Sequence, residues 1–227
     1  MTAAAEPRLA PTLLTHGRVA LALHRLRAGE GRPLLLLHGL GEASPAEVPP
    51  HLSSWPGPVA ALDFTGHGAS SRPKGGGYTA EILMADVDTA LAHLGPVTLH
   101  GRGLGAYVAL LAASARPGIV RGVILADGPG LVGGGIRPTS PFVLSAPTGS
   151  DAGPDPFALF ELSHDVRPSD YVVEYVRLLM AGSDLPRPMA VCAVVRPEWL
   201  TAAIDEAGDR VLDAGVADAV GLYAGAD

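Results

Sequence analysis

Four mainly apolar runs recur along the first part of the chain, and a glycine-containing turn follows each of them. They predict the strands of a buried sheet, because apolar side chains at successive positions cover both faces of a strand. The four runs are Pro33–Leu37, Val59–Phe64, Val97–His100 and Ile119–Asp127. Two segments before them, Leu13–Thr15 and Val19–Leu26, predict an antiparallel hairpin at the edge of the sheet.

Segments with helical character separate these strands. Thr79 is the predicted N-cap of a helix that runs to about His93, and a second helix is predicted from Gly103 to Ala115. Strand and helix therefore alternate from residue 33 to residue 127. This alternation predicts a parallel sheet with right-handed crossovers.

The pattern is weaker in the second half of the chain. Residues 128–156 are rich in Gly, Pro and Ser and predict a flexible loop over the carboxyl edge of the sheet. Residues 157–188 predict a reduced cap or a helical segment, in which Ser169 and Asp170 cap a helix over Tyr171–Met180. The apolar stripe of this helix is expected to consist of Tyr171, Tyr175, Leu178 and Leu179.

Three further elements complete the expected fold. They are a late strand over Met189–Val195, a helix over Glu198–Ala207 and a short helix over Ala214–Ala224. The chain contains no internal repeat, and residues 1–227 are expected to form a single α/β domain.

Composition and charge indicate the type of domain and exclude some types of binding partner. Of the 227 residues, 48% are hydrophobic and 17% are charged, as is typical of a well-covered α/β domain. The formal net charge of −7 argues against nucleic acid or an anionic membrane as the main partner. The sequence shows one cysteine, Cys192, no signal peptide and no apolar run long enough to span a bilayer. A soluble, cytoplasmic protein is therefore expected.

Three glycine-containing turns follow predicted strands at the edge where open α/β sheets place their sites. They are His38-Gly39-Leu40-Gly41, Asp63-x-x-Gly66-His67-Gly68-x-Ser70 and Gly101-x-Gly103-x-Gly105. In this order and spacing they resemble the turns of the α/β-hydrolase family. The resemblance covers about residues 12–127 well and residues 157–200 loosely. It implies a mostly parallel sheet flanked by helices, with the N-terminal antiparallel hairpin, a reduced cap and a shortened C-terminal end.

The resemblance also implies a site. In this family two backbone N–H groups form an oxyanion hole, and the matching residues in this chain are Leu40 and Leu104. His38 and His67 are expected mainly to brace loops. The residues expected to contact a ligand surround the two amides, and they are His38, Gly39, Leu40, Arg102, Gly103 and Leu104.

The catalytic positions that the family implies are changed in this chain. Gly103 stands where the family carries its nucleophilic serine, so neither a hydroxyl nor a thiol is available there. Asp127, Glu198 and His100 are the candidate relics of the acid and the base. The family's catalytic histidine follows a late strand, whereas the last histidine of this sequence is His164. The chain is expected to stop before that strand or just after it.

These departures predict a non-catalytic relative of the hydrolases. It is expected to bind a small apolar or acyl-type ligand, or to serve as a structural subunit. In the second role it would meet a protein partner or another copy of itself at an uncovered C-terminal edge of the sheet. No cofactor is expected, and no metal either, because no spacing of His, Cys and Asp resembles a metal site.

Two alternatives stay open. A relocated group, such as His100 or His164, would make the protein an enzyme, either an ester or thioester hydrolase or a lyase. In the other alternative, Gly101-x-Gly103-x-x-Ala106 fits a dinucleotide-binding fingerprint. Asp127 then stands where a ribose-binding acid is expected.

Overall fold

A computed structural model describes residues 10–131, 153–163 and 167–225 of the chain. These residues form eight strands and six α-helices. In chain order the elements are β1 (Thr12–His16), β2 (Val19–Arg27), β3 (Leu34–Leu37), β4 (Val59–Leu62), α1 (Ala80–Leu94), β5 (Val97–Arg102), α2 (Leu104–Ala115), β6 (Val120–Ala126), α3 (Pro156–Ser163), α4 (Ser169–Gly182), β7 (Met189–Val191), α5 (Glu198–Ala207), β8 (Val211–Asp213) and α6 (Val216–Ala224).

The strands form one sheet in the order β1-β2-β4-β3-β5-β6-β7-β8. β2 is antiparallel to both β1 and β4, and every other neighbouring pair is parallel. The predicted mostly parallel sheet with an antiparallel N-terminal hairpin is thus confirmed. Leu37 of β3 pairs with Gly101 of β5, so the turns that follow these two strands meet at the carboxyl edge.

Side chains of the central strands enter two apolar layers, since successive residues of a strand point to opposite faces of the sheet. Leu35 and Leu99 belong to the larger layer, which also contains residues of α1, α2, α4 and α5. Leu36 and Ile124 belong to the smaller layer, together with residues of α6 and of the β3–β4 crossover. His100 pairs with Leu36 and Ile124 and therefore faces the smaller layer.

The C-terminal end of the sheet is short, but its last strand is present. β8 has three residues, forms the edge of the sheet and is followed by α6. The sheet therefore ends in a three-residue strand that the sequence pattern does not predict. A run of three residues, Val211–Asp213, is too short to show a periodic pattern. The late strand also ends earlier than predicted, at Val191.

The buried face of α4 differs from the predicted stripe. Val172, Val176 and Leu179 are buried at helical spacing, whereas Leu178 is 56% exposed. The helix begins at Ser169, and the residue before it, Pro168, provides no side-chain cap. The N-cap position is therefore Pro168, and the helix begins two residues earlier than predicted. α4 packs against α2 and α5, so it belongs to the helical layer beside the sheet.

Part of the predicted 128–156 loop, residues 132–152, lies outside the described residues, as does His164. Among the helices in the described ranges, none is both long and apolar enough to cross a membrane.

Candidate functional site

The turn between β5 and α2, residues 101–105, depends on its three glycines; we call it the elbow. Gly103 has φ 52° and ψ −116°, a conformation that residues with a side chain rarely adopt. A Cβ atom at Gly101 would overlap the carbonyl oxygen of Gly105, and one at Gly105 would overlap that of Leu37. The elbow therefore packs directly on itself and on the end of β3, which only glycine allows.

The two backbone amides predicted to form an oxyanion hole do converge. The N–H of Leu40 donates to the carbonyl oxygen of Pro129 at 2.9 Å, and the N–H of Leu104 donates to the same oxygen at 3.0 Å. Two donors on one oxygen are the arrangement that stabilises an oxyanion in acyl transfer. In this protein, however, the oxygen belongs to its own backbone.

The segment that carries this oxygen, residues 128–131, fills the space above the elbow; we call it the Pro129 segment. A Cβ atom at Gly103 would overlap the backbone of Gly128 and the carbonyl oxygen of Pro129. A Cβ atom at Gly39 would lie 2.5 Å from the Cδ of Pro129. The pocket that remains beside Gly103 measures about 40 Å³, enough for a few water molecules. Sequence analysis missed this contact, because no local pattern marks Pro129.

Arg102, a predicted ligand-contacting residue, is engaged within the chain. Its Nη1 donates to both carboxylate oxygens of Glu42, at 3.0 and 2.9 Å. Glu42 in turn accepts the backbone N–H of Gly39 at 2.9 Å. This ion pair joins the turn after β3 to the elbow. Glu42 is a second residue that sequence analysis missed.

His38 and His67 brace the turns at the carboxyl edge. Nε2 of His38 accepts the N–H of Phe64 at 3.1 Å, so its Nδ1 carries the proton and donates to the carbonyl of Gly39 at 2.8 Å. Nε2 of His67 accepts the N–H of Gly41 at 3.3 Å. Burial lowers the pKa of His38; burial and the neighbouring His38 lower the pKa of His67 to about 3. Both rings are neutral at neutral pH.

Asp63, in the turn after β4, holds a buried hydrogen-bond network. Its carboxylate bonds Nε2 of His24 at 2.9 Å and accepts the backbone N–H groups of Ser44 and Ala69 at 2.7 and 2.8 Å. Burial alone would raise the pKa of Asp63, but the bond to His24 and the two backbone N–H groups outweigh it and hold the pKa well below its usual range. The network therefore holds an ionised carboxylate in the core.

The two candidate relics of the catalytic acid lie in different environments. Asp127, directly after β6, accepts the backbone N–H groups of Val194 and Val195 at 2.8 and 2.9 Å. These bonds tie the loop after β7 to the end of β6. Glu198 is exposed at the first residue of α5.

The resemblance implies a catalytic histidine after a late strand, and β8 is the last strand of the described residues. Ala214 and Gly215 connect β8 to α6, so this connection carries no imidazole. His100, the candidate relic of the base, lies on the sheet face of the smaller layer. Burial, then His51 and Arg102, lower its pKa to about 3. Across the described ranges, no group of three or more His, Cys, Asp or Glu residues is placed to hold a metal ion.

Comparison with known proteins shows the family of the chain. Residues 32–151 match the family model described as alpha/beta hydrolase fold. The chain belongs to the alpha/beta hydrolase fold family. It is 32% identical over 122 residues to (E)-2-((N-methylformamido)methylene)succinate hydrolase of Acinetobacter baylyi. That match covers 51% of this chain and 43% of the relative, so it spans less than half of the relative's length.

Two solved structures share the fold over most of the chain. A thioesterase domain from the curacin biosynthetic pathway matches with a TM-score of 0.64 and 18% identity, over 94% of this chain and 97% of that domain. An N-formylmaleamic acid deformylase of Pseudomonas putida matches with a TM-score of 0.62 and 17% identity, over 88% of this chain and 89% of that enzyme. At these identities the likeness shows the fold alone.

Proposed function

We propose that this protein is a non-catalytic alpha/beta hydrolase fold protein that acts by binding a small molecule. The observation that carries the proposal is the pair of hydrogen bonds from Leu40 and Leu104 to the carbonyl oxygen of Pro129. A substrate carbonyl would have to displace this oxygen, and each hydrogen bond is worth about 1 kcal/mol.

The catalytic positions support the same conclusion. Gly103 offers no nucleophile, and the connection after β8 offers no base. Loss of any one member of such a triad lowers the rate by orders of magnitude, and the remaining rate depends on the oxyanion hole. Because the Pro129 segment occupies the hole as well, neither source of rate enhancement is in place.

Hydrolysis assays test the proposal directly. The purified protein is incubated with short-chain p-nitrophenyl esters and thioesters, and separately with a fluorophosphonate probe. We expect turnover no faster than in buffer and no labelled serine. Robust turnover, or stoichiometric labelling of a serine, would overturn the proposal.

A second candidate function is hydrolysis by a relocated group, and the relative in Acinetobacter baylyi favours it because it is named a hydrolase. His100 and His164 are the candidate bases. If turnover is observed, His100→Ala and His164→Ala are compared with His93→Ala, an exposed histidine of α1. Loss of activity in only one of the first two variants would identify the base.

Dinucleotide binding finds less support in the geometry. The carboxylate of Asp127, the candidate for a ribose hydroxyl, already accepts two backbone N–H groups. The N–H of Leu104, at the start of α2, donates to Pro129 instead of facing an open phosphate site.

A structural role is the other non-catalytic function that we propose. In this role, a protein partner or a second copy of the chain would bind at the C-terminal edge of the sheet. β8 is the edge strand of the sheet, and its Asp213 forms an ion pair with Arg196 at 2.7 Å. Size-exclusion chromatography with light scattering tests it, because a dimer or a larger complex is expected. A monomer at all concentrations would count against self-association.

A further inference from the structure

A second pocket has no residue of the Pro129 segment in its lining. It measures about 480 Å³ and lies between the carboxyl ends of β3 and β5 and the crossover from β3 to β4; we call it the crossover cleft. The crossover contains only one short 3₁₀ helix, Pro50–Leu52, which does not fill this space. A volume of this size suits a small-molecule ligand.

The floor of the crossover cleft is apolar and its mouth is polar. Leu36, Leu37 and Leu52 line it and are buried. Arg102 and Glu42 also line it, and their side chains are 43% and 33% exposed. A ligand with an apolar body would therefore bury that body against the leucines, while the polar mouth of the cleft stays in contact with water.

Two buried histidines line the cleft, and both ring nitrogens of one of them, His38, are hydrogen-bonded within the chain, so His100 is the buried polar group left to a ligand. It lines the crossover cleft, its side chain is 2% exposed, and its Nε2 has no hydrogen-bond partner among the described residues. A neutral imidazole that carries its proton on Nδ1 presents Nε2 as an acceptor. Buried polar atoms are almost always paired in native proteins, and an unpaired acceptor calls for a donor from a ligand.

The charges around the crossover cleft favour an uncharged ligand. Arg102 is already neutralised by Glu42, and burial keeps His100 unprotonated. Among the described residues of its lining, Glu42 carries the only carboxylate, and His51 adds an exposed imidazole. An anion would find no uncommitted arginine, and a cation would find no uncommitted carboxylate.

We propose that the crossover cleft binds a small uncharged molecule with an apolar body and one O–H or N–H group, which donates to Nε2 of His100. The inference rests on the proposed function, because it names the site and the ligand class through which a binding protein would act. The site is separate from the oxyanion amides of Leu40 and Leu104, which face Pro129.

Benzyl alcohol is a suitable probe, because benzyl methyl ether has a similar apolar body without the donor. Each is titrated into the ¹⁵N-labelled protein and followed by amide chemical shifts, with benzoate and benzylamine as charged analogues. We expect saturable shifts at Leu36, Leu52 and His100, and tighter binding of the alcohol than of the ether by about fivefold to tenfold. Benzoate and benzylamine are expected to bind more weakly than the ether.

Three variants assign the interaction. His100→Leu is expected to bind the ether within about twofold of the unchanged protein and to lose the preference for the alcohol. His93→Leu, the same change at an exposed position of α1, is expected to keep that preference. Ala43→Trp, at an exposed residue that lines the cleft, is expected to abolish binding of both probes.

The outcomes separate this inference from the proposed function. Failure of both probes to saturate, or equal affinity for alcohol and ether in the unchanged protein, overturns the inference. Saturable shifts confined to Leu40 and Leu104 overturn it too, while they support ligand binding at the elbow. Turnover of p-nitrophenyl esters overturns the proposed function, and the titration still decides whether the cleft binds the alcohol.

Discussion

The backbone nitrogen of Leu104 lies 3.0 Å from the carbonyl oxygen of Pro129, so an amide expected to bind an oxyanion binds the protein's own backbone. The same oxygen accepts the N–H of Leu40. The two N–H donors are therefore present, position 103 has no nucleophilic side chain, and the carbonyl oxygen of Pro129 is the acceptor that the donors bind. The two hydrogen bonds hold the Pro129 segment against the elbow.

Substituting Gly103 is expected to destabilise the fold through two separate effects. The positive φ costs about 1–2 kcal/mol for a residue with a Cβ, and the overlap with Pro129 adds to this cost. Gly208 is a matched control, because it has φ 54° and ψ −128° with open space around it. We expect urea unfolding to show a larger loss for Gly103→Ala than for Gly208→Ala. Equal losses would contradict a packed Pro129 segment.

Gly103→Ser is expected to remain inactive as an esterase, since a serine alone has no base to activate it. The measurement is p-nitrophenyl ester turnover, with Gly103→Ala as the control that introduces the Cβ without the hydroxyl. Turnover by the serine variant and not by the alanine variant would reveal a hidden base.

Gly39→Ala is expected to displace the Pro129 segment, because its Cβ would lie 2.5 Å from the Cδ of Pro129. Loss of the acceptor should expose the N–H groups of Leu40 and Leu104 to water. Hydrogen exchange at these two amides is expected to be faster by about tenfold or more, the equivalent of one lost bond of roughly 1.4 kcal/mol. Gly118→Ala, where a Cβ meets open space, should leave both rates unchanged.

The buried histidines predict that acid destabilises the protein. His67 and His100 have pKa values of about 3 in the fold, lowered first of all by burial, whereas an unfolded histidine titrates near 6.5. The unfolded chain therefore binds more protons between these values, and stability falls as the pH drops below about 6.5. Each ring contributes a slope of up to about 1.4 kcal/mol per pH unit.

Urea unfolding at pH 7 and pH 5 measures this slope. We expect His100→Leu to reduce the loss of stability between the two pH values, because one of the buried rings is removed. His93→Leu serves as the control, because His93 is exposed. An unchanged slope in His100→Leu would show that this ring does not titrate as a buried group.

Cys192 is expected to react slowly with thiol reagents in the folded protein. Burial, assisted by Asp213 and Asp218, raises the pKa of its thiol to about 11. At pH 8 this leaves roughly a hundredfold less thiolate than a free cysteine has. Labelling with a chromogenic disulfide measures the rate, and the urea-unfolded protein provides the reference. Comparable rates in the two states would contradict the burial of this thiol.

Most of the fold could be predicted from the sequence because its elements have local causes. The apolar run over Leu34–Leu37, the N-cap at Thr79 and the glycines of the elbow each act within a few residues. The C-terminal end of the sheet could not be predicted, because β8 has three residues and is too short to show a hydrophobic pattern. On α4, the predicted stripe failed at Leu178, because the direction of the core is set by α2 and α5.

The sequence alone establishes that position 103 has no side chain that could act as a nucleophile, and that a glycine-rich turn joins β5 to α2. It could not show what lies above that turn. Leu40, Leu104 and Pro129 are far apart along the chain, and their meeting depends on how β3, β5 and β6 lie side by side. Every residue has a backbone carbonyl group, so the sequence cannot indicate which of these groups accepts the two hydrogen bonds. Only the tertiary structure could decide which oxygen the two amides hold.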